Sequence, residues 1–282
     1  LMKNDVNPST IFKLNNLKAI CSTGSPLSAE CFDYIYNNVG YVHLASISGG
    51  TDIVSCFVLG VPNLPVRRGE IQGAGLGMAV EIWSDKGRVK RGERGELVCT
   101  KPFPSRPVKF WNDIDGKKYH AAYFDRFDGV WAHGDFAEQT LDGGYIIYGR
   151  SDATLNPGGV RIGTAEIYRE VDRMDEVLES IVIGQNWGSD TRIVLFVKLR
   201  EGINLTETLV LSIKKFIKDN CTSRHVPAKI LQVEDIPRTK SGKIVEIPVR
   251  DIVHGKEIKN KEALANPEAL DYFKDRPELL LD

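Results

Sequence analysis

Four short clusters carry residues whose types and spacing could do chemistry. In Ser48-Gly49-Gly50-Thr51-Asp52, the glycines would let backbone N–H groups approach a phosphate. The Thr51 hydroxyl could donate to that phosphate and Asp52 could hold a Mg2+ ion against its charge. An ordinary turn with Asp52 as a helix cap is the competing reading. His133-Gly134-Asp135 is followed fifteen residues later by Arg150. A carboxylate fixed at a strand end can accept both hydroxyls of a ribose, and an intervening hairpin turning at Asp142-Gly143 would return Arg150 beside it. The hairpin alone would explain the segment equally well. Asn156-Pro157-Gly158-Gly159-Val160-Arg161-Ile162-Gly163 offers close backbone approach and a permanent guanidinium donor, or a bare glycine-rich loop. Pro237-Arg238-Thr239-Lys240-Ser241-Gly242-Lys243 gathers three cations within one loop. Such a concentration repels itself unless it is solvated or matched to an anion. The first glycine of a GxxxxGK phosphate loop is missing there.

Elements that would position these clusters can be read from periodicity. Residues 17–23 are strand-like and run into the turn Gly24-Ser25-Pro26. Ser28 can cap a helix with Phe32, Ile35, Tyr36 and Val39 on one face, and a second strand at 41–46 leads into the Ser48 cluster. A strand, helix, strand unit of this kind places binding loops at the carboxyl ends of parallel strands. Residues 56–149 change to short β runs separated by Gly and Pro, predicting a small antiparallel β subdomain. Beyond Arg150 come a helix after Thr164, strands at 180–183 and 193–199, a helix through Leu209, Ile213, Phe216 and Ile217, and a strand at 229–233. The predicted organisation is an α/β portion over 1–150, a small α+β domain over 151–254, and a surface-wrapping tail over 255–282.

Bulk composition narrows the classes further. The 282 residues carry 37 Lys and Arg against 38 Asp and Glu, so the net charge of −1 gives no general attraction to nucleic acid or anionic membrane. The longest apolar runs, such as 193–197, are far too short to span a bilayer. Five widely spaced cysteines without a CxxC pair argue against a disulfide framework or structural zinc, and predict free, mostly buried thiols in a soluble cytosolic protein. Leu1 is not an initiator Met, and the chain is expected to be a fragment.

Taken in order across residues 24–243, the clusters resemble the core motifs of the adenylate-forming superfamily of acyl-CoA synthetases, luciferases and peptide-synthetase adenylation domains. The text around 150–167 and the tail Asn266-Pro267-Glu268-Ala269-Leu270 is similar to a branch that ligates acetoacetate to coenzyme A. The resemblance implies the C-terminal part of a large α/β adenylating domain, with a small β subdomain, followed by a small mobile α+β domain. It implies ATP, Mg2+ and coenzyme A as reactants or cofactors; charge and hydropathy predict no nucleic acid and no membrane span, and no obligate protein partner is evident in the sequence.

The same resemblance assigns roles. Gly24, Ser25 and Pro26 would line adenine. Gly49, Gly50 and Thr51 would contact phosphate, Asp52 would help hold Mg2+, and Asp135 would bind the ribose with Arg150 in support. Asp152 would be the hinge, Gly158 and Gly159 would border the pantetheine tunnel, Arg161 would meet the nucleotide or the coenzyme, and Lys243 would bridge carboxylate and phosphate during adenylation. Acetate-specific relatives carry a Trp where Gly49 stands, so an enlarged pocket suited to acetoacetate or another short polar acid is expected. The family's Ser/Thr/Gly-rich phosphate loop is absent from this sequence, so the chain alone is expected not to run the complete reaction. A ligase for another short or medium acid and a non-catalytic truncated isoform are the alternatives.

Overall fold

A computed structural model describes every residue except Ser189, Lys259, Asn260 and Asp282. It divides into two compact units, Leu1–Ser151 and Asp152–Asp282.

The first unit starts with helix α1 (Pro8–Ile11), strand β1 (Ala19–Ser22), helix α2 (Ala29–Asn38) and strand β2 (His43–Ser46). β1 and β2 pair in parallel, with Ala19 opposite His43, and α2 crosses between them with Phe32 buried. Ser28 occupies the N-cap position of α2, but its hydroxyl donates to Cys31 Sγ at 3.4 Å instead of capping the helix. β3 (Ser48–Gly50), β4 (Ser55–Leu59) and β5 (Gly73–Ala74) form a three-stranded antiparallel sheet. The segment read as a glycine-rich turn therefore begins as a strand.

β6 (Val80–Ser84), β7 (Gly87–Arg88), β8 (Arg94–Cys99), β9 (Trp131–Gln139) and β10 (Tyr145–Arg150) build an antiparallel sheet in the order β10-β9-β8-β6-β7. Helix α3 (Lys117–Tyr123), which has no clear sequence periodicity, interrupts the run of strands. Ile53, Phe57, Leu97 and Trp131 are at the centre of the apolar core, where Phe103 meets the Trp131 ring edge-on at 5.4 Å.

The second unit holds α4 (Thr164–Val171), β11 (Val177–Trp187), β12 (Asp190–Leu199), α5 (Glu207–Asn220), β13 (Lys229–Gln232) and α6 (Glu246–Val253). β11 and β12 are antiparallel, β12 and β13 parallel, in the order β11-β12-β13. Both faces are covered, which is why 193–197 reads as an unbroken apolar run. Leu195 and Val197 face α4 and α5 through Ile167, Val171, Ile213 and Ile217. Val194 and Phe196 face the other way, toward Val249 and Ile252 of α6.

That second face also corrects the reading of a surface tail. Leu264, Leu270, Phe273 and Leu279 are buried there, and Phe273 meets Phe196 edge-on at 4.8 Å between ring centroids. Burying each such side chain is worth roughly 1.5–3 kcal/mol, so the last residues are a wall of the core. The end is pinned further by buried Arg192, which donates to the carbonyls of Leu279 at 2.7 Å and Leu281 at 2.9 Å. All five cysteines are free, but only Cys99 is buried, and Cys21 is exposed, against the expectation of mostly buried thiols. Among the described residues no helix is long and apolar enough to cross a membrane.

Candidate active site

Two loops of the first unit leave the same edge of the parallel pair. β1 ends at Ser22 and β2 at Ser46, with the Ile47 amide donating to the Ser22 carbonyl at 2.9 Å. Gly24, Ser25 and Pro26 therefore emerge, exposed, beside the segment that carries Ser48 to Asp52.

The β9–β10 hairpin turns at Asp142-Gly143 and sets Arg150 opposite Asp135. Asp135 is not at a strand end. It lies inside the nine-residue β9, where the register against β8 shifts between Glu96 and Val98, and the bulge turns the carboxylate out of the regular alternation. Asp135 is 7% exposed; its Oδ2 accepts from Ser48 Oγ at 2.7 Å and its Oδ1 from Arg150 Nη1 at 3.3 Å. Arg150 Nη1 also donates to the His133 carbonyl at 3.0 Å. A carboxylate has about four lone-pair sites, so two hydroxyl donors can still be accepted. His133 Nε2 lies 3.8 Å from Asp135 Oδ2, while its buried Nδ1 has no hydrogen-bond partner among the described residues.

Gly134 makes this arrangement possible. Its φ is +85°, and a Cβ there would overlap Arg150 Nη2 and lie 2.9 Å from Cζ. Its amide donates to Glu96 Oε1 at 2.8 Å. Glu96 is 1% exposed and paired with Arg126. Burial pushes its carboxyl above the usual range, against the pull of Ser151, Arg126 and the Gly134 amide.

Asp52 is placed nearby by Gly50, whose missing Cβ would overlap Asp52 Oδ1 and lie 3.2 Å from the His133 ring. Asp52 Oδ1 accepts from the Ile53 amide at 3.2 Å and Oδ2 accepts from the Tyr123 phenol. That phenol is stacked on Trp131 at 3.6 Å, and burial, followed by the Asp52 carboxylate, pushes its pKa up, so it stays a neutral donor. Among the described residues no group of three or more His, Cys, Asp or Glu could cage a metal. The donor set suits Mg2+ held by one carboxylate and the phosphates of a substrate. Thr51 lies exposed in the turn that follows β3.

Gly49 does not open a pocket. A Cβ at Gly49 would overlap the Ser55 carbonyl oxygen and stand 2.5 Å from Cys56 Cα, because β4 runs against it. The glycine serves strand approach: the space along its missing side chain is taken by β4 and is not left as acyl room in place of an indole.

The other clusters belong to the second unit, whose first residue is Asp152; its carbonyl accepts from Arg250 Nη1 at 2.6 Å. Paired amides and carbonyls of Leu155 and Ile162 close a loop with Gly158 at φ +57° and Gly159 at φ +75° on its tip. Asp190 accepts the Gly158 amide with both carboxylate oxygens at 3.0 Å. An open cavity of about 490 Å³ beside this tip is lined by Asn156, Gly159, Asn186, Gly188, Asp190 and Thr191. Arg161 lies exposed on the returning limb. The helix that follows is capped by Gly163, with Thr164 its first residue, and Glu166 Oε1 accepts the Gly163 amide at 2.9 Å.

In the loop Pro237–Lys243, Arg238 is matched by Glu179 at 2.7 Å, which relieves part of the repulsion. Lys243 O accepts the Thr239 amide at 2.8 Å, and Thr239 Oγ1 accepts the Lys243 amide at 3.1 Å. Among the described residues no carboxylate pairs with the Lys243 ammonium.

Ser48, Glu96, Tyr123 and Asp190 were not given roles by sequence reasoning. Glu96, an acid immediately before the apolar strand run Leu97-Val98-Cys99, is the one whose setting could have flagged a buried ion.

No protein-family model matches the chain. The fold matches benzoate CoA ligase from Burkholderia xenovorans LB400 with a TM-score of 0.70 and 26% identity, over 83% of this chain and 45% of that one. It matches acetoacetyl-CoA synthetase from Streptomyces lividans with a TM-score of 0.88 and 40% identity, over 97% of this chain and 43% of that one. Together with the ordered motifs, these matches mean that the chain belongs to the adenylate-forming acyl-CoA synthetase family.

Within the family, several curated relatives similar to this chain are named for acetoacetate. The chain is 64% identical over 278 residues to acetoacetyl-coenzyme A synthetase of Rhizobium meliloti (strain 1021), covering 98% of this chain and 43% of the relative. It is 47% identical over 282 residues to acetoacetyl-CoA synthetase of Danio rerio, covering 99% and 42%. The chain thus spans less than half the length of the relatives it matches.

Proposed function

We propose that this chain is the C-terminal part of an AMP-forming acetoacetate–CoA ligase, whose complete reaction belongs to a protein of the relatives' full length. The reading rests above all on the 64% identity, over 98% of the chain, to a relative named for that activity. In the first half-reaction an oxygen of the acid attacks the α-phosphorus of ATP and pyrophosphate leaves. In the second the thiol of coenzyme A attacks the acyl carbon and AMP leaves.

Asp135, oriented by Ser48 and Arg150, would accept the ribose hydroxyls, and Gly24, Ser25 and Pro26 would lie along adenine. Gly50 and Thr51 would offer donors to phosphate. Asp52 would hold Mg2+, which supplies charge neutralisation on the phosphates. Lys243 would bring carboxylate and phosphate together; a fixed cation at such a centre is worth about 3–4 kcal/mol. Gly158, held by Asp190, and Gly159 would border the path of the thiol, with Arg161 near the nucleotide or the coenzyme. The junction of the units between Ser151 and Asp152 supports Asp152 as the pivot between half-reactions. Five free cysteines suit a reducing compartment such as the cytosol.

The test is a panel of acids offered to the full-length protein with ATP and coenzyme A. Acetoacetate should give the highest kcat/KM, with AMP as the nucleotide product. A preference for acetate, or release of ADP, would overturn the proposal.

A further inference from the structure

The lysine loop is closed on itself, and its stem is tied to the rest of the second unit by other contacts. Its own closure is the pairing of Arg238 with Ile244, the turn at Thr239–Gly242, the two Thr239–Lys243 bonds and the donation from Arg238 Nη1 to the Gly242 carbonyl at 3.0 Å. Its outer side is covered by the last segment of the chain, which the core anchors through Leu270 and Phe273. Thr239 bridges to Leu264, the Ala265 amide donates to the Arg238 carbonyl at 2.8 Å, and the Lys240 amide donates to the Ala263 carbonyl at 3.2 Å.

One side chain ties the two together. Asn266 Oδ1 accepts the Arg238 amide at 2.8 Å. Its Nδ2 donates to Asp235 Oδ2 at 2.6 Å and to the Ile236 carbonyl at 3.0 Å. The acceptor and both amide hydrogens are thus engaged, and only a short carboxamide offers that set. Asp235 has Lys198 at 2.7 Å on its other oxygen.

We propose that Asn266 is a positioning residue for Lys243, fixing the stem of the Arg238–Lys243 loop so that the ammonium is delivered in register for adenylation. The proposal rests on the role given to Lys243 above. Asn266 touches no reactant, and it acts through the backbone of Asp235 to Arg238. A stem that loses all three bonds can shift by the order of an ångström, and such misplacement costs about 10- to 100-fold in rate.

The experiment uses the full-length protein and separates the half-reactions. Asn266→Ala should lower ATP–pyrophosphate exchange about 10- to 100-fold while thioester formation from presynthesised acyl-adenylate stays within about twofold. Asn266→Asp should lose exchange as well, because it keeps the acceptor but sets a second carboxylate against Asp235. Adding Asp235→Asn to Asn266→Asp reverses donor and acceptor across the 235–266 contact but leaves the Ile236 carbonyl without its donor, so it should restore exchange in part. Should Asn266→Ala fail to fold, the comparison of Asn266→Asp with the double variant gives the same decision. Unchanged exchange, equal loss in both halves, or no rescue by the double variant would overturn the proposal. Lys243→Ala is run alongside. If it leaves exchange intact, the role of Lys243 is itself wrong; if it abolishes exchange while the Asn266 variants do not reduce it, only the positioning role fails.

Discussion

Arg126→Met is the substitution most sharply priced by the structure. The Glu96 carboxylate is 1% exposed and has two strong partners, the Gly134 amide at 2.8 Å and Arg126. Methionine keeps the aliphatic packing of the arginine and removes the charge. Stranding a fully buried ion costs about 3–5 kcal/mol. The Arg126 side chain is 29% exposed and shares itself with solvent-facing Asp85, so water can partly replace it. The expected loss is about 2–3 kcal/mol at pH 8. Its pH dependence has a definite sign. Burial already raises the folded pKa of Glu96 above its unfolded value, so ionising it costs stability as pH rises through the folded pKa. Removing Arg126 raises that pKa further. The difference between wild type and variant should therefore be smallest below the unfolded pKa, near 4.5, and complete above the folded pKa of the variant. Urea titration followed by tryptophan fluorescence reads it, since Trp83, Trp111 and Trp131 lie in the first unit. Adding Glu96→Gln should recover most of the loss, because the amide oxygen still accepts from Gly134. A loss under about 1 kcal/mol, or one that is the same at pH 5 and pH 8, would refute the buried-ion reasoning.

Gly134→Ala should raise the KM for ATP about tenfold with little change for coenzyme A, since left-handed backbone costs roughly 1–2 kcal/mol and the new methyl evicts the Arg150 guanidinium; steady-state kinetics with each substrate varied checks it. Phe273→Ala should destabilise the second unit by about 3–5 kcal/mol in denaturant unfolding, whereas a solvent-exposed tail residue would change it by less than about 0.5 kcal/mol.

Much of the scaffold around the site could be read from local chemistry. Asp142-Gly143 between alternating strands specified the hairpin that returns Arg150 to Asp135, and the spacing of Ile167, Val171, Ile213 and Ile217 marked the buried faces of α4 and α5. What escaped was set by tertiary contact. The C-terminal core residues Leu264, Leu270, Phe273 and Leu279 follow no helical or strand period because Leu264 sits on an isolated bridge and the other three on short 3-10 turns among charges. α6 carries Pro248 within its first turn, where proline is tolerated but reads as a breaker. The bulge that aims Asp135 depends on the partner strand β8, and the block at Gly49 depends on β4; neither partner is visible in the glycine cluster itself. Asn266 reaches back 28 residues to Arg238, beyond any local pattern.

The central claim is that Lys243 acts in adenylation and the glycine loop in thioester formation. The most direct measurement compares Lys243→Ala and Gly159→Leu in the full-length protein, assaying ATP–pyrophosphate exchange and the conversion of presynthesised acetoacetyl-adenylate to thioester. Lys243→Ala should abolish exchange and spare the second step, and Gly159→Leu should do the reverse. Equal damage to both steps by each substitution would contradict the account.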